Sequence, residues 1–184
     1  MSYKASTYIA GMALAAAICA APVFAQNSDQ KMDSGSNKMM KSTDAKFAQK
    51  AAQGGMAEVQ LGQLAAQKGT NAGVKAFGQQ MVDDHTKAND DLKSVAAKES
   101  MTLPSDLSAK DQALQSKLQN LSGEQFDRAY MKAMVKDHEE DVKEFQKEAN
   151  NGQDPQIKDF ASRTLPVLQG HLDKAKSVDS TVAK

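Results

Sequence analysis

Cysteine is nearly absent from this chain of 184 residues, and the one present, Cys19, lies in an apolar N-terminal segment. If that segment is removed, the remaining chain has no thiol, which excludes disulfide bonds, thiolate metal sites and cysteine nucleophiles. Beyond the N-terminal segment the sequence has no run of about 20 apolar residues, so we expect no transmembrane segment in the mature chain. Motifs for an activated serine or a glycine-rich phosphate loop are also missing, and we expect no catalytic residue.

An excess of positive charge is missing as well, because 23 basic residues balance 23 acidic ones. Only two of the basic residues, Arg128 and Arg163, are arginines. Nucleic-acid binding typically requires a basic patch or stripe on one face of the protein. No such stripe with interleaved aromatic residues occurs here, and we therefore expect no nucleic-acid partner.

The first 25 residues have the organisation of a secretory signal peptide. Lys4 precedes an apolar run from 9 to 21, and Val23-Phe24-Ala25 fits the small-x-small rule for cleavage after Ala25. Ile18, directly before Cys19, is too large for a lipoprotein site, so we expect export without a lipid anchor. Residues 26–43 are polar, contain methionine and lack periodicity, which predicts a disordered leader.

Helical periodicity begins at Asp44 and continues to the end of the chain. Apolar residues recur at alternating steps of three and four, which is typical of helices facing a bundle core. Five helices are predicted, at about 44–68, 71–100, 106–120, 123–149 and 155–178. Pro166 should kink or split the last helix near Arg163. Since little strand signal remains, the predicted fold class is all-α.

Two internal repeats suggest how these helices associate. Residues 74–77 resemble residues 157–160, and helices 1 and 4 each carry an aromatic residue eleven positions before an acidic one. The pairs are Phe47 with Glu58, and Phe126 with Asp137. Two copies of one helical hairpin predict a ferritin-like four-helix bundle, with the short helix 3 in the crossover.

The histidines occupy equivalent positions in this pattern. Residues 81–85 (Met-Val-Asp-Asp-His) are echoed by residues 134–138 (Met-Val-Lys-Asp-His), and His171 falls at a comparable point of the last helix. Each histidine lies on the apolar stripe of its helix, as Glu58 does on helix 1. We therefore expect all four side chains to point into one core.

One carboxylate and three imidazoles can bind a divalent transition metal such as Zn, Fe, Mn or Cu. The candidate ligands are Glu58, His85, His138 and His171. The residues expected to surround them, as orienting or hydrogen-bonding groups, are Asp84, Asp137, Tyr130 and Asp127. The alternative is a buried polar cluster in which these groups hydrogen-bond one another and fix the register of the bundle.

A di-iron centre of the ferritin kind is not indicated. That pattern places a glutamate three residues before a histidine on each of two helices. The residues three before the histidines are Val82, Val135 and Leu168. A metal site on these residues is therefore expected to be mononuclear.

The motifs together resemble those of the bacterial family called domain of unknown function 4142. The matching motifs are Gly-Gly-x-x-Glu ending at Glu58, Met-Val-x-x-His ending at His85, Phe-Asp-x-x-Tyr ending at Tyr130, Met-Val-x-Asp-His ending at His138, and Leu-Pro-x-x-x-x-His ending at His171. The resemblance covers about residues 47–178 and implies an exported protein with a ferritin-like fold. Members are often labelled predicted outer membrane proteins, a label that fits poorly with a chain that has no lipid-modified cysteine. We therefore expect a periplasmic location, free or peripheral to the outer membrane.

Two functions remain open from the sequence. One is a non-enzymatic periplasmic protein of the envelope or stress response, which binds a metal ion, a partner protein or an envelope surface. The other is a mononuclear metal-binding protein or metalloenzyme that uses Glu58 and the three histidines. A further hypothesis is that helix 3, with its leucine stripe, detaches to bind a partner.

Overall fold

The computed structural model describes residues 30–183, with side chains from residue 43 onward, and the predicted signal peptide lies outside this range. The described residues form five helices and no strand, so the all-α prediction is confirmed. The helices are α1 (Gln30–Lys68), α2 (Ala72–Lys98), α3 (Ala109–Gln119), α4 (Gly123–Asn151) and α5 (Pro155–Val182). Within the described range, none of these helices combines the length and the apolar character needed to cross a bilayer.

Polar side chains fix where three of the helices begin. The side-chain oxygens of Asn71, Ser108 and Asp154 accept hydrogen bonds from backbone N–H groups in the first turns of α2, α3 and α5. These bonds satisfy donors that a helix start leaves without partners. Ser122 begins α4 without such a bond. Gly123 adopts a φ of 59°, so this first turn departs from the geometry that a capping box requires.

Two element boundaries differ from the sequence prediction. α1 begins at Gln30, so it overlaps the predicted disordered leader over residues 30–43. Lysine, methionine and glutamine favour helix without giving an apolar period, which is why periodicity places the start later. The disorder of the leader remains a prediction.

α5 is continuous through Pro166, and the predicted split near Arg163 is wrong. Buried residues on both sides of the proline, Phe160 and Leu168 among them, hold the two halves against the same core. Tertiary packing here outweighs the hydrogen bond that proline removes from a helix.

The four long helices form two antiparallel hairpins, α1–α2 and α4–α5, which pack against each other. Glu144 on α4 pairs with Lys50 on α1 at 2.8 Å, and His138 lies beside Glu58 further along. α2 and α5 run antiparallel in the same way. Their side-chain contacts join Asp91 to Arg163 and Asp84 to His171.

The connection from α2 to α4 crosses the length of the bundle along α1. Its contacts with α1 advance together along both segments, from Gln49 with the Thr102 carbonyl to Lys68 with the Gln119 carbonyl. Leu118 of α3 is fully buried, and Leu114 and Leu121 pack against the same cluster. The leucine stripe of α3 is therefore part of the core, which argues against the hypothesis of a detachable helix.

Small residues bring α1 and α2 close together. A Cβ atom added to Gly78 would lie 2.7 Å from the carbonyl oxygen of Gly62, and one added to Gly62 would lie 2.6 Å from that of Gly78. Such distances leave no room for a side chain at either position. The site described below lies next to this contact.

Two separate apolar clusters fill the bundle. One contains Leu61, Ala65, Val74, Phe77, Met81, Leu118, Phe126, Tyr130, Met131, Met134, Ala175 and Val178. The other contains Phe47, Ala48, Ala52, Leu92, Val95, Phe145, Ile157, Phe160, Ala161 and Leu168. On every long helix, the stretch between the two clusters carries one buried glutamate or histidine. A polar layer thus divides the core.

Candidate metal centre

The polar layer contains one ionisable side chain from each of the four long helices. Glu58 comes from α1, His85 from α2, His138 from α4 and His171 from α5, and none of them is more than 6% exposed. Buried groups of this kind are costly unless each is paired or bound. The hydrogen bonds of each histidine ring determine which of its two nitrogens is left to bind a ligand.

The orientation of His138 follows from a backbone contact. Its Nδ1 lies 3.0 Å from the carbonyl oxygen of Met134, one helical turn earlier. A carbonyl oxygen only accepts hydrogen bonds, so Nδ1 carries the proton and donates it. In the neutral ring, Nε2 then carries no proton and has a free lone pair. This atom is buried and has no hydrogen-bond partner among the described residues.

His85 and His171 are each held by a carboxylate. His85 Nδ1 lies 2.8 Å from Glu58 Oε2, and His171 Nε2 lies 2.8 Å from Asp84 Oδ2. Each of these ring nitrogens donates to its carboxylate, which fixes the ring and leaves the opposite nitrogen facing away from it. The opposite nitrogens, His85 Nε2 and His171 Nδ1, are also buried without a hydrogen-bond partner in the described part of the chain.

The electrostatics of the two rings differ. Burial lowers the pKa of His85, but the Glu58 charge and hydrogen bond exceed this effect and raise it overall. Burial and the other two imidazoles lower the pKa of His171 despite its bond to Asp84. The surroundings of His171 therefore favour its neutral form, whereas Glu58 favours the protonated form of His85.

One nitrogen from each of the three imidazoles lies within 4.8 Å of the other two. The ring centroids are 5.9 Å apart for His85 and His138, 5.3 Å for His85 and His171, and 5.4 Å for His138 and His171. Three clustered imidazoles, each with one nitrogen hydrogen-bonded to an acceptor, form an arrangement that can bind a metal ion.

Glu58 lies beside this trio. Its Oε2 accepts the His85 bond, and its Oε1 lies 3.2 Å from His138 Nε2, where the two atoms are not aligned for a hydrogen bond. Burial opposes its ionisation, but the neighbouring His85 and His138 lower its pKa to about 2. The predicted quartet therefore divides into three converging imidazoles and a carboxylate that orients one of them.

Glu58 also belongs to a second group, with Asp137 and Asp141 of α4. One carboxylate oxygen from each of the three lies within 4.8 Å of the other two. Burial and the charge of Glu58 raise the pKa of Asp137 to about 7, and the same causes raise that of Asp141 well above its usual range. Lys110 approaches Asp137 at 3.8 Å. Sequence reasoning missed Asp141, although it follows His138 by three residues and so shares its face of α4.

Of the residues expected around the centre, Asp84 contacts a histidine, but Asp127 and Tyr130 do not. Asp127 lies about 16 Å along α4 from His138, at 1.5 Å per residue, where it accepts bonds from the backbone N–H groups of Thr70 and Asn71. It therefore holds the α1–α2 turn, and its proposed place around the metal is wrong.

The Tyr130 ring belongs to the apolar cluster that contains Phe126. It stacks on the Phe126 ring at a centroid distance of 5.9 Å. Its hydroxyl is buried without a hydrogen-bond partner among the described residues, and burial raises its pKa. The contacts of its ring are thus those of a core residue.

The other hairpin has a matching turn contact, which the sequence analysis did not identify. Asp44 Oδ2 accepts hydrogen bonds from the backbone N–H groups of Gln153 and Asp154, at 3.0 and 2.6 Å. Asp44 of α1 and Asp127 of α4 are 83 residues apart and play the same role in the two hairpins. The helix caps Asn71 and Asp154 are also 83 residues apart, so this spacing in the sequence could have identified the Asp44 contact.

Comparison with known proteins agrees with the motifs. A family model described as domain of unknown function (DUF4142) matches residues 29–178, so the chain belongs to this family. Among solved structures, the chain is similar to the crystal structure of a DUF305 fragment from Deinococcus radiodurans, with a TM-score of 0.66 and 13% identity over 75% of this chain and 95% of that one. At this identity the likeness shows the fold alone. No curated protein matches the chain at a significant level.

Proposed function

We propose that this DUF4142 protein is an exported metal-binding bundle that holds one divalent transition metal ion on His85, His138 and His171. Two observations carry the proposal: one ring nitrogen of each of the three buried imidazoles lies within 4.8 Å of the other two, and each ring has one buried nitrogen without a hydrogen-bond partner among the described residues. Three imidazole ligands leave a fourth position for water or for another ligand, as in many zinc sites.

The competing interpretation is a polar cluster that satisfies itself. Such a cluster keeps its buried nitrogens and oxygens hydrogen-bonded. Here each imidazole donates one hydrogen bond to an acceptor, and its other nitrogen is buried without a partner among the described residues. A cation bound to one nitrogen of each ring would satisfy all three rings at once, whereas a proton on His85 Nε2 could be donated to only one other ring nitrogen.

The surrounding groups suit a bound cation. Glu58 and Asp84 accept the outward N–H bonds of His85 and His171, which makes each ring a better electron donor. Glu58 also places a negative charge beside the site. Imidazole ligands favour Zn, Cu or Fe over Mg, Ca or Mn.

The proposed role is binding, such as storing or buffering the metal in the periplasm, and it includes no catalytic step. The fold is proposed to be ferritin-like, since antiparallel neighbours with one long crossover are typical of that group. The periplasmic location, with or without peripheral attachment to the outer membrane, is supported by the signal-peptide pattern of residues 1–25.

The test is metal stoichiometry. Residues 26–184, produced by export without a polyhistidine tag, would be dialysed against Zn²⁺, then against metal-free buffer, and analysed by elemental mass spectrometry. Wild type should retain zinc, and His171→Ala, which removes a direct ligand, should lose more than the roughly 10–100-fold in affinity that removal of an outer-shell partner costs. Lys174→Ala, an exposed change on the same helix, is the control. Equal zinc retention by wild type and His171→Ala would refute the site.

A further inference from the structure

We propose that a metal ion reaches the histidine site between α1 and α4, through a gap that Gly54 keeps open opposite Asp141. The proposal rests on the proposed function, because it describes how the ion of that site enters and leaves. It also assigns a role to Gly54, which lies in the interior of α1. Glycine there costs stability relative to alanine, and no close packing contact of this residue accounts for it.

The metal centre is shielded from solvent, so an ion needs a passage between two helices. His138 is 0% exposed, and His171 and Glu58 are each 1% exposed. His85 is 6% exposed, which makes it the most accessible of the three rings. We therefore expect a passage from solvent to reach the site at His85.

A small cavity lies beside His85 and Glu58. Its volume is about 20 Å³, and its other walls include Leu92, Phe145 and Phe160 of the second apolar cluster. The cavity thus lies where the polar layer meets that cluster. Since about 10–15 Å³ is enough for one water-sized species, it has room for one bare ion or one water molecule and not for a hydrated ion.

A much wider cavity, of about 290 Å³, opens at the surface beside α1, α4 and the start of α3. Five acidic residues and two lysines line it. Each lysine lies close to a glutamate: Lys50 is 2.8 Å from Glu144, and Lys110 is 3.2 Å from Glu140. Because carboxylates outnumber the lysines, this wide cavity attracts cations.

Gly54 of α1 and Asp141 of α4 line both the small cavity and the wide one. The antiparallel register of the two helices places them opposite each other. Lys50, one turn before Gly54, pairs with Glu144, about one turn after Asp141. The boundary between the two cavities therefore lies between these two residues.

The space beside Gly54 is open. A Cβ added to this residue would meet nothing within 4 Å among the described residues. Gly54 also lies one turn before Glu58, on the same face of α1. The boundary between the cavities is thus at a position where α1 carries no side chain, one turn away from the polar layer.

The neighbouring position on α1 is closed. A Cβ added to Gly55 would collide with the side-chain oxygen of Asn89 on α2, so this side chain packs directly on the α1 backbone. Asn89 lines both the small cavity and a groove between α1 and α2 that Thr86 borders. An ion entering from that groove would have to displace Asn89, whereas at Gly54 no side chain of α1 stands in the way.

The experiment measures how fast Co²⁺ enters and leaves residues 26–184, using the visible absorption of the bound ion in stopped flow. Apo protein mixed with Co²⁺ gives the uptake rate, and loaded protein mixed with excess EDTA gives the release rate. EDTA is too large for the small cavity, so it captures the ion only after release. We expect Gly54→Leu to slow both rates by about tenfold or more, the factor that about 1.4 kcal/mol of added barrier gives. The dissociation constant should stay unchanged, because a barrier on the route acts equally in both directions.

Two matched variants serve as controls. Gly170→Leu makes the same change at an exposed position of α5, where nothing lies within 4 Å of an added Cβ among the described residues. Thr86→Leu adds an apolar side chain in the groove between α1 and α2. Neither variant should change the uptake rate or the release rate.

The outcomes separate the two proposals. Unchanged rates in Gly54→Leu, with Co²⁺ still bound, would overturn the route and leave the proposed function standing. Equal slowing by Thr86→Leu would also overturn the route, and so would a weaker dissociation constant in Gly54→Leu with unchanged uptake. No Co²⁺ binding by wild type would overturn both proposals. Circular dichroism establishes folding, and Gly54→Met repeats the test if Gly54→Leu does not fold.

Discussion

The close approach of α1 and α2 gives a prediction whose sign depends on position. Alanine is better than glycine in a helix interior by about 0.8–1.0 kcal/mol. At Gly78, however, the added Cβ would lie 2.7 Å from the Gly62 carbonyl oxygen and 2.8 Å from the Cβ of Ala65. At Gly170 nothing lies within 4 Å of it. Overpacking against backbone costs about 1–3 kcal/mol, so Gly78→Ala should be destabilising by up to about 2 kcal/mol after the propensity gain.

Gly170→Ala is the matched control, because the same methyl group enters open space on α5. It should stabilise the protein by about 0.5–1 kcal/mol. Urea unfolding followed by far-ultraviolet circular dichroism gives both free energies, and equal slopes against urea would show that the comparison is valid. If both variants were stabilised equally, the helices would not be in the close contact described, and the reasoning from packing would be refuted.

Three further changes test other parts of the fold. Burial and the Asp44 carboxylate raise the pKa of Glu148 from 4.5 to about 7. The folded protein thus holds this proton more tightly than the unfolded chain, and stability falls as pH rises between these values. Glu148→Gln should remove that loss, at most about 3 kcal/mol, in unfolding measured at about pH 5 and about pH 8; an unchanged pH dependence would contradict the assignment. Asp127→Ala should cost about 1.5–3 kcal/mol, because backbone donors such as that of Thr70 lose a charged acceptor, and chemical denaturation measures this. Leu118→Ala should cost about 2–5 kcal/mol, and little or no loss would mean that α3 is not docked.

The helices and the polar layer were predictable because they depend on local spacing. The period of three and four identifies each long helix, and the echo of residues 81–85 in residues 134–138 puts Met81 and Met134 in one cluster. It also puts His85 and His138 in the same layer above that cluster. A single helical rule thus gives the depth of a side chain in the bundle without any knowledge of its neighbours.

The partners of each group were not predictable, because they depend on rotation and on contacts distant in sequence. Asp84 holds His171, 87 residues away, and not the adjacent His85. Asp127 holds a turn 56 residues earlier. Neighbouring positions on a helix point about 100° apart, so an acidic residue beside a histidine faces a different helix. Periodicity alone does not show which one.

The internal repeat explains the scaffold but not the ligands. At the offset of 83 residues that relates the turn aspartates and the caps, Glu58 corresponds to Asp141, and both belong to the carboxylate group. His85 corresponds to Leu168, and His138 to Gly55. The echo of residues 81–85 in residues 134–138 therefore reflects the equal depth of His85 and His138 in the bundle and not the duplication of the hairpin. The histidines are additions to a symmetric frame, and their convergence on one point from three helices is the arrangement expected of a binding site.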